Sequence, residues 1–224
     1  MLRFIIVLSV LLLLPRTVVA QCIADFFLLM PEEQYDYLPK AAKDSLLAQG
    51  SYYPPSNIPD EEVIVYHLSL DSAANYLRVE MNFETGQSAF SIYELRAWKT
   101  TSQSFIVVYS EVSGAPGVFG QGDLLVFEYG KDKMLQPAKK ELLPSSMGLN
   151  DFLKPNTPDS MAGKYASYSN NSYSLIDAEG EVTYYLYESF EAYGIDRKWL
   201  LGNVIVFRWV DDHFERSQPY FEEN

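Results

Sequence analysis

The sequence predicts an α+β fold in which an N-terminal helix packs on antiparallel β-meander sheets, and it leaves open whether the sheets form two similar units. Helical spacing of apolar residues is confined to positions 25 to 49, whereas later segments alternate apolar and polar residues as strands do. Aromatic residues, with 17 Tyr and 13 Phe, make up 15% of the chain and favour the pleated surface of a sheet. The hydrophobic share of 48% and the charged share of 21% are typical of a globular protein.

The predicted helix over residues 25 to 49 begins at Asp25, a capping residue, and ends at Gly50. Pro31 and Pro39 interrupt it, because proline lacks the backbone N–H that a helix interior needs. We therefore expect a short first turn followed by one or two helical pieces. The apolar residues that share one face are Phe26, Leu29, Met30, Leu38, Ala41, Ala42 and Leu46.

Residues 21 to 145 form the first predicted unit, in which the helix is followed by an antiparallel meander. A proline-rich loop over residues 51 to 60 and a glycine-rich, flexible connection over residues 114 to 122 interrupt the strand pattern. In the strand predicted over residues 77–83, polar and charged residues alternate with apolar ones, which is typical of a sheet with one solvent-exposed face. The predicted strands cover residues 63–70, 77–83, 89–98, 104–112 and 124–129.

Residues 146 to 217 form a second, smaller, sheet-rich unit, which either stands alone or joins the first in one domain. It begins with a short helix over residues 149 to 153. Residues 218 to 224 are predicted to form a loose acidic tail. The predicted strands cover residues 164–168, 173–176, 182–190, 203–209 and 214–216.

An internal match links the two units. The segment Gly122–Tyr129 resembles Gly202–Trp209, 80 positions later, and the same offset places Asp132 on Asp212 and Met134 on Phe214. One interpretation is a duplicated unit that ends in a strand-turn-strand hairpin. The other is a pair of ordinary hairpins with similar apolar patterns.

The first twenty residues predict a secretory signal peptide. Arg3 supplies the positive start, residues 4 to 14 are apolar except for Ser9, and Val18 and Ala20 suit a peptidase that selects short side chains. The apolar run is shorter than the ~20 residues of a membrane span. Cleavage after Ala20 is expected to export the mature chain to the periplasm or the extracellular space.

Cys22 raises the alternative of a lipid-anchored protein, because bacterial lipoproteins carry a cysteine directly after the cleaved segment. Gln21 stands where such signals need a small residue, so we expect a released protein instead. Cys22 is also the only cysteine, so an internal disulfide is impossible.

The charge limits the partners. Loss of the signal would remove two arginines and leave 15 basic and 30 acidic residues, a net charge of −15. Such a chain repels phosphate backbones and anionic lipids, which argues against nucleic acid as a partner. The expected partner is an envelope protein or a glycan, and no stable membrane span is predicted.

The sequence lacks the signatures of most kinds of catalytic and cofactor site. His67 and His213 are the only histidines, which argues against a zinc site, and the chain has neither a G-x-S-x-G elbow nor a phosphate-binding loop. We predict no catalytic, cofactor-binding or metal-binding residues. Paired carboxylates on strands, as in glycosidases, are the one enzymatic option that needs no rare residue. The candidates, which also suit a solvated strand face, are Glu80, Glu111, Glu128 and Glu188.

Two further patterns allow a binding or a structural interpretation. Acidic clusters at residues 60–62, 177–179 and 211–212 offer oxygen ligands for calcium, but none has the spacing of a calcium loop. Tyrosines can line a glycan or peptide groove, or else pack across strands. They are Tyr165, Tyr168, Tyr173, Tyr184, Tyr185 and Tyr187.

The start of the mature chain carries a family resemblance, which is strongest over residues 22 to 50. A Phe-rich stretch ending in Met-Pro-Glu, Asp25–Glu32, is followed by a helix with the core Lys43–Leu47 and by Gly50. This pattern resembles a family of uncharacterised exported proteins from Bacteroidetes bacteria. The alternating strand Tyr76–Phe83 fits the same family.

The resemblance is thinner later in the chain. An aromatic strand, Leu124–Tyr129, and a Leu-x-Asp-Phe helix, Leu149–Phe152, agree with the family pattern, whereas Lys131–Met134 replace the tryptophan expected after that strand. The family carries no assigned activity, so no catalytic residue can be transferred. It implies the periplasm or cell envelope of a Gram-negative anaerobe.

These observations predict a non-catalytic binding or interaction module of the cell envelope. The alternative is a carboxylate-dependent glycan hydrolase, and a third option is a small-ligand carrier, which a closed apolar cavity would reveal. A deep cleft holding two carboxylates about 5 to 10 Å apart would favour the enzyme.

Overall fold

The structure, a computed structural model, describes residues 22–35, 38–55, 63–84, 89–115, 117–160, 170–176, 179–187 and 196–222. Over these residues the chain forms a short helical segment, a seven-stranded antiparallel sheet and a four-stranded antiparallel sheet. The fold is therefore α+β, as the sequence predicts, although most of the regular structure is β. Predicted strand 164–168 and residues 188–190 lie outside the described residues.

The helical segment is divided by its prolines, as predicted. Helix α1 covers Ile23–Leu29, a 3₁₀ helix covers Glu32–Tyr35, and helix α2 covers Lys40–Gln49. Pro31 lies just after the first helix, and Pro39 is the N-cap of α2.

The ends of these helices show one agreement and one difference. Gly50 ends α2 in the left-handed conformation, with φ 77°, and donates its N–H to the carbonyl of Leu46. This conformation costs glycine little because it has no Cβ. The predicted cap Asp25 is instead inside α1, where its carboxylate accepts the N–H of the N-cap residue Cys22 at 3.1 Å.

The larger sheet, here the large sheet, is a simple meander whose strand order follows the chain. The five predicted strands are all present; four begin and end within about three residues of the prediction, whereas the strand predicted over residues 124–129 begins earlier, at Val118. The strands are β1 Ser51–Tyr52, β2 Ile64–Asp71, β3 Tyr76–Phe83, β4 Phe90–Lys99, β5 Phe105–Ala115, β6 Val118–Tyr129 and β7 Leu135–Pro137.

The flexible connection predicted over residues 114 to 122 is wrong, since most of that segment belongs to the β5–β6 hairpin. Gly114 is needed for close packing: a Cβ on this residue would lie 2.4 Å from the carbonyl oxygen of Val118. A β-bulge shifts the register of β5 and β6 between Ser110 and Val112.

The smaller sheet, here the small sheet, contains β8 Asn171–Ser174, β9 Val182–Leu186, β10 Val204–Val210 and β11 His213–Arg216, ordered β11-β10-β9-β8 in the described residues. The predicted short helix is a 3₁₀ helix over Leu149–Phe152. The tail is not loose at Tyr220, which exchanges backbone hydrogen bonds with Val204. That approach requires Gly202, because a Cβ there would lie 2.3 Å from the Tyr220 backbone.

The described residues form hydrophobic cores on both sides of the large sheet. On one side, here the helix face, Leu77, Leu95 and Val107 pack beneath α1 and α2. On the other side, here the sheet face, Trp98 and Val108 pack against the small sheet and the segment around Phe152. The solvent-exposed face predicted from alternation is therefore wrong for the middle of the sheet, where both faces are covered.

Candidate functional site

The most unusual feature of the described residues is a row of polar side chains that are buried or half-buried between the two sheets. It consists of Glu94, Arg96, Trp98, Ser110 and Gln121, all on the sheet face of the large sheet, and is called the polar seam below. Residues 170–176, which include β8, and residues 179–180 lie directly over it.

At one end of the polar seam, Gln121 and Ser110 bind the backbone of Tyr173. Gln121 Oε1 accepts the N–H of Tyr173 at 2.7 Å, and Ser110 Oγ donates to the Tyr173 carbonyl at 3.4 Å. Gln121 Nε2 also donates to Ser110 Oγ at 3.1 Å, which orients the amide. The two side chains thus bind both polar groups of one residue of β8.

At the other end, Glu94 and Arg96 bind the backbone of Leu175 in the same way. Glu94 Oε2 accepts the Leu175 N–H at 2.8 Å, while Arg96 Nη1 donates to the Leu175 carbonyl at 2.6 Å. The second oxygen of Glu94 accepts the hydroxyl of Tyr76 at 2.6 Å. Trp98 continues the row, since its Nε1 donates to the Gly180 carbonyl at 2.8 Å.

The polar seam has a structural cause. In the described residues β8 is the edge strand of the small sheet, so alternate backbone groups along it face away from β9. A buried edge must still pair its N–H and C=O groups, because an unpaired buried polar group costs about 1 to 3 kcal/mol. Side chains of the large sheet supply these partners in place of a further strand.

The electrostatics of Glu94 agree with this structural role. Burial raises the pKa of the Glu94 carboxyl, and hydrogen bonds from Tyr76 and the Leu175 backbone, together with Arg78 and Arg96, oppose that rise. Burial and the neighbouring Glu94 in turn raise the pKa of the Tyr76 phenol. A carboxyl with a raised pKa is a common mark of an active site. Here both of its oxygens are already occupied by donors of the protein.

The structure separates the carboxylates that the sequence suggested as a catalytic pair. Glu80 lies on the sheet face of β3, where it forms a 2.7 Å ion pair with Arg78, and Glu128 lies on β6. Strand spacing and register put their Cα atoms roughly 25 Å apart. Glu111 lies opposite Tyr93 in the register and so belongs to the helix face, and Glu188 lies outside the described residues.

A polar cleft of about 380 Å³ lies beside the β6–β7 turn. Its lining includes Ser104, Glu128, Lys131, Asp132 and Gln136, and it is called the turn cleft below. The carboxylate of Asp132 accepts the side-chain N–H of Gln136 and, at 3.4 Å, the backbone N–H of Met134. The turn cleft thus presents fixed donors and acceptors to solvent.

Ser104 is held in place by a cluster of hydroxyl groups in the β4–β5 turn. Its Oγ lies 2.7 Å from Thr100 Oγ1 and 2.9 Å from Ser102 Oγ, and those two oxygens are 2.9 Å apart. The Ser104 N–H also donates to Thr100 Oγ1 at 3.1 Å. This network fixes one wall of the turn cleft.

A second, more apolar cleft of about 260 Å³ lies beside β11. Leu143, Phe207 and Phe214 contribute to its apolar lining, with Glu141 and Arg216 also among the lining residues. Phe214 packs edge-on against Trp98 at 5.1 Å and against Trp209 at 4.9 Å between ring centroids. It is called the apolar cleft below.

The histidines and acidic clusters do not come together in the described residues. His67 is exposed on β2, and His213 is exposed on β11, where its Nε2 lies 3.6 Å from Glu215. Asp212 accepts the backbone N–H of Thr101 at 2.8 Å, which joins two turns. Residues 60–62 and 177–178 lie outside the described residues, and no group of three potential metal ligands occurs in the part of the chain that the structure describes.

The tyrosines divide between the core and its margin. Tyr173 and Tyr184 are buried, with ring centroids 4.6 Å apart, and Tyr184 stacks on Phe152. Tyr185 and Tyr187 are half-buried with centroids 5.8 Å apart, and Tyr165 and Tyr168 lie outside the described residues.

A buried lysine on the helix face was not predicted from the sequence. Lys43 is 1% exposed, donates to the Met30 carbonyl at 2.6 Å, and lies over the rings of Phe27 and Tyr35. Burial lowers the pKa of its amine to about 8, although Glu32 and Glu33 oppose the change.

Comparison with known protein families, curated proteins and solved structures finds no match. The family resemblance of residues 22 to 50 stays a prediction. Among the described residues, no helix has the length and apolar character needed to cross a membrane.

Proposed function

We propose that this protein is a non-catalytic binding or interaction module of the bacterial cell envelope. The observation that carries the proposal is the state of Glu94, the buried carboxylate with the character of a catalytic group. Its Oε1 accepts the Tyr76 hydroxyl and its Oε2 accepts the Leu175 N–H. A substrate would have to displace one of these bonds and separate the sheets to reach it.

The exposed carboxylates also favour binding over catalysis. A glycosidase needs one carboxyl held protonated near neutral pH, usually by burial. Glu128 is exposed, and Asp132 is exposed and occupied by hydrogen bonds from its own turn. Both are suited to accepting hydrogen bonds from a ligand.

The two clefts are consistent with a module that presents turns on a rigid scaffold, a common arrangement of binding sites. The turn cleft lies on the β6–β7 hairpin and the apolar cleft lies beside the β10–β11 hairpin, the same two hairpins that match in sequence. We further propose that they are the ends of two similar units whose surfaces have diverged, one polar and one apolar.

The experiment uses the mature chain from Gln21 and isolated cell envelopes of a Gram-negative anaerobe. The protein is expected to sediment with the envelopes in a saturable manner and to release no reducing sugar ends during prolonged incubation. A glycosidase of known activity serves as the positive control for release.

Two results would overturn the proposal. One is release of reducing ends that is lost in Glu128→Gln or Glu94→Gln, which would establish the hydrolase alternative. The other is a failure to sediment with envelopes at any protein concentration.

A further inference from the structure

We infer that the turn cleft binds an uncharged oligosaccharide, an inference that rests on the proposed binding function and assigns its ligand class. The turn cleft has about 380 Å³, within the range of about 300 to 1,000 Å³ typical of small-molecule sites. Its lining side chains are predominantly polar, so the ligand must be polar over most of its surface.

The chemistry of the lining selects sugar hydroxyl groups. Glu128 and Asp132 offer carboxylate acceptors, Lys131 offers an ammonium donor, and Gln136 and Ser104 offer groups that can donate and accept. Hydroxyl groups on a pyranose ring also donate and accept, and neighbouring hydroxyls lie close enough to bond a carboxylate and an amide together. A simple ion would interact either with the donors or with the acceptors of this lining, but not with both.

The arrangement is fixed before a ligand arrives. Glu128 and Gln136 are cross-strand partners on β6 and β7, so their side chains project from the same face of the sheet. Asp132 is held by Met134 and Gln136, and Ser104 is held by the hydroxyl cluster. Fixed groups lose less conformational entropy on binding.

The charge of the lining argues against acidic sugars, and its shortage of ligands argues against a metal ion. Two carboxylates against one ammonium give the lining a net negative charge, and the whole chain carries −13. Polyanionic glycans are repelled by such a surface. A divalent cation would have Lys131 as a neighbour and would find no group of three ligands among the described residues.

The test is a titration of the mature protein, followed by backbone amide NMR, with maltotriose, triacetylchitotriose and trigalacturonate as probes. At least one of the two uncharged trisaccharides is expected to bind with a Kd on the order of 1 mM. The shifts should be centred on Gly130, Lys131 and Gln136. Trigalacturonate is expected to cause no shift.

Variants of exposed residues locate the site without unfolding the protein. Gln136→Ala and Glu128→Gln are each expected to weaken trisaccharide binding about fivefold to tenfold, the effect of a lost hydrogen bond. Glu215→Gln is the matched control, since it changes an exposed glutamate on the edge strand of the other sheet. It is expected to leave binding unchanged.

The outcome separates this inference from the proposed function. If neither uncharged trisaccharide binds, or if trigalacturonate binds better, the inference is wrong, while saturable envelope binding that Gln136→Ala leaves intact would still support a binding module. If maltotriose or triacetylchitotriose is hydrolysed, the non-catalytic function is wrong although the ligand class is right.

Discussion

The two faces of the large sheet are built by different physical means. On the helix face, aromatic rings meet edge-on: Phe27 and Tyr35 have centroids 5.2 Å apart, and Tyr35 and Tyr109 have centroids 5.4 Å apart. On the sheet face, the polar seam binds the backbone of Tyr173 and Leu175 through directional hydrogen bonds. The difference follows from what each face must cover.

A helix satisfies most of its own backbone groups and presents side chains, so shape and apolar area are enough to hold it. The edge of a strand presents unpaired N–H and C=O groups, so its burial demands polar partners. The helix face has exceptions among the described residues: Lys43 binds the carbonyl of Met30 just beyond the end of α1, and the Tyr109 hydroxyl donates to the carbonyl of Gln34. On both faces, polar side chains are thus buried where a backbone group is not paired within its own helix or sheet.

The largest expected effect is loss of packing on the helix face. Phe27 is 0% exposed, so Phe27→Ala should lower the free energy of unfolding by about 3 to 5 kcal/mol. Leu29→Ala is the matched control on the same helix, because Leu29 is 43% exposed. Urea unfolding of both variants gives the comparison, and similar losses would contradict the buried role of Phe27.

The next effect tests the polar seam. Glu94→Ala leaves the Leu175 N–H and the Tyr76 hydroxyl without their acceptor and is expected to cost about 3 kcal/mol. Glu80→Ala should cost less than about 1 kcal/mol, because the Glu80 side chain is 40% exposed. Urea unfolding measures both, and a Glu94→Ala variant as stable as Glu80→Ala would show that the polar seam does not hold the sheets together.

A smaller effect on stability is expected from titration of Lys43, the buried amine on the helix face. The folded-state pKa of Lys43 is about 8 against an ordinary value of 10.5, so the unfolded chain binds more protons between these pH values. This residue should therefore make the protein more stable by about 2 kcal/mol as pH rises from 7.5 to 10. Lys43→Met should lack that rise, as measured by urea unfolding across this range.

Lys40→Met serves as the control, since Lys40 is exposed at the start of the same helix. A rise that persists unchanged in Lys43→Met would mean that another group causes it.

The smallest effect is the corresponding titration on the sheet face, and its direction is opposite. Because the folded-state pKa of Glu94 is raised above 4.5, the contribution of this residue to stability is greatest below pH 4.5 and falls as pH rises through the folded-state pKa. Glu94→Gln should remove that fall, whereas Glu80→Gln should keep it. Thermal unfolding of each variant from pH 4 to pH 7 measures the effect. If stability depends on pH in the same way in wild type and in Glu94→Gln, Glu94 is not the cause of the fall.

The sequence predicts the local elements well because their signals are local. Pro31, Pro39 and Gly50 divide and end the helical segment through their own backbone properties. Alternating residues predict the strands of the large sheet in their meander order. Of the turn cleft, the sequence indicates Glu128 as a candidate site residue but not its neighbours Asp132 and Gln136.

The polar seam could not be predicted because it depends on contacts between distant segments. Glu94 and Arg96 alternate with apolar residues, which is also the pattern of residues that face solvent. The residue that covers them, Leu175, lies 79 to 81 positions later in the sequence. The one available signal was an acid and a base two positions apart within a strongly apolar strand. The prediction of a flexible connection at Gly114 was wrong for a related reason, because glycine is typical both of flexible segments and of places where two backbones pack closely.

The polar seam also has a consequence for the order of folding. Its hydrogen bonds to the segment around β8 join residues 52 to 82 positions apart, from Gln121 with Tyr173 to Trp98 with Gly180, whereas the large sheet pairs each strand with the next. Closing such a long loop is entropically costly and slows the contacts that require it. The meander is therefore expected to form first, and docking of β8 on it to be the late step that completes the molecule.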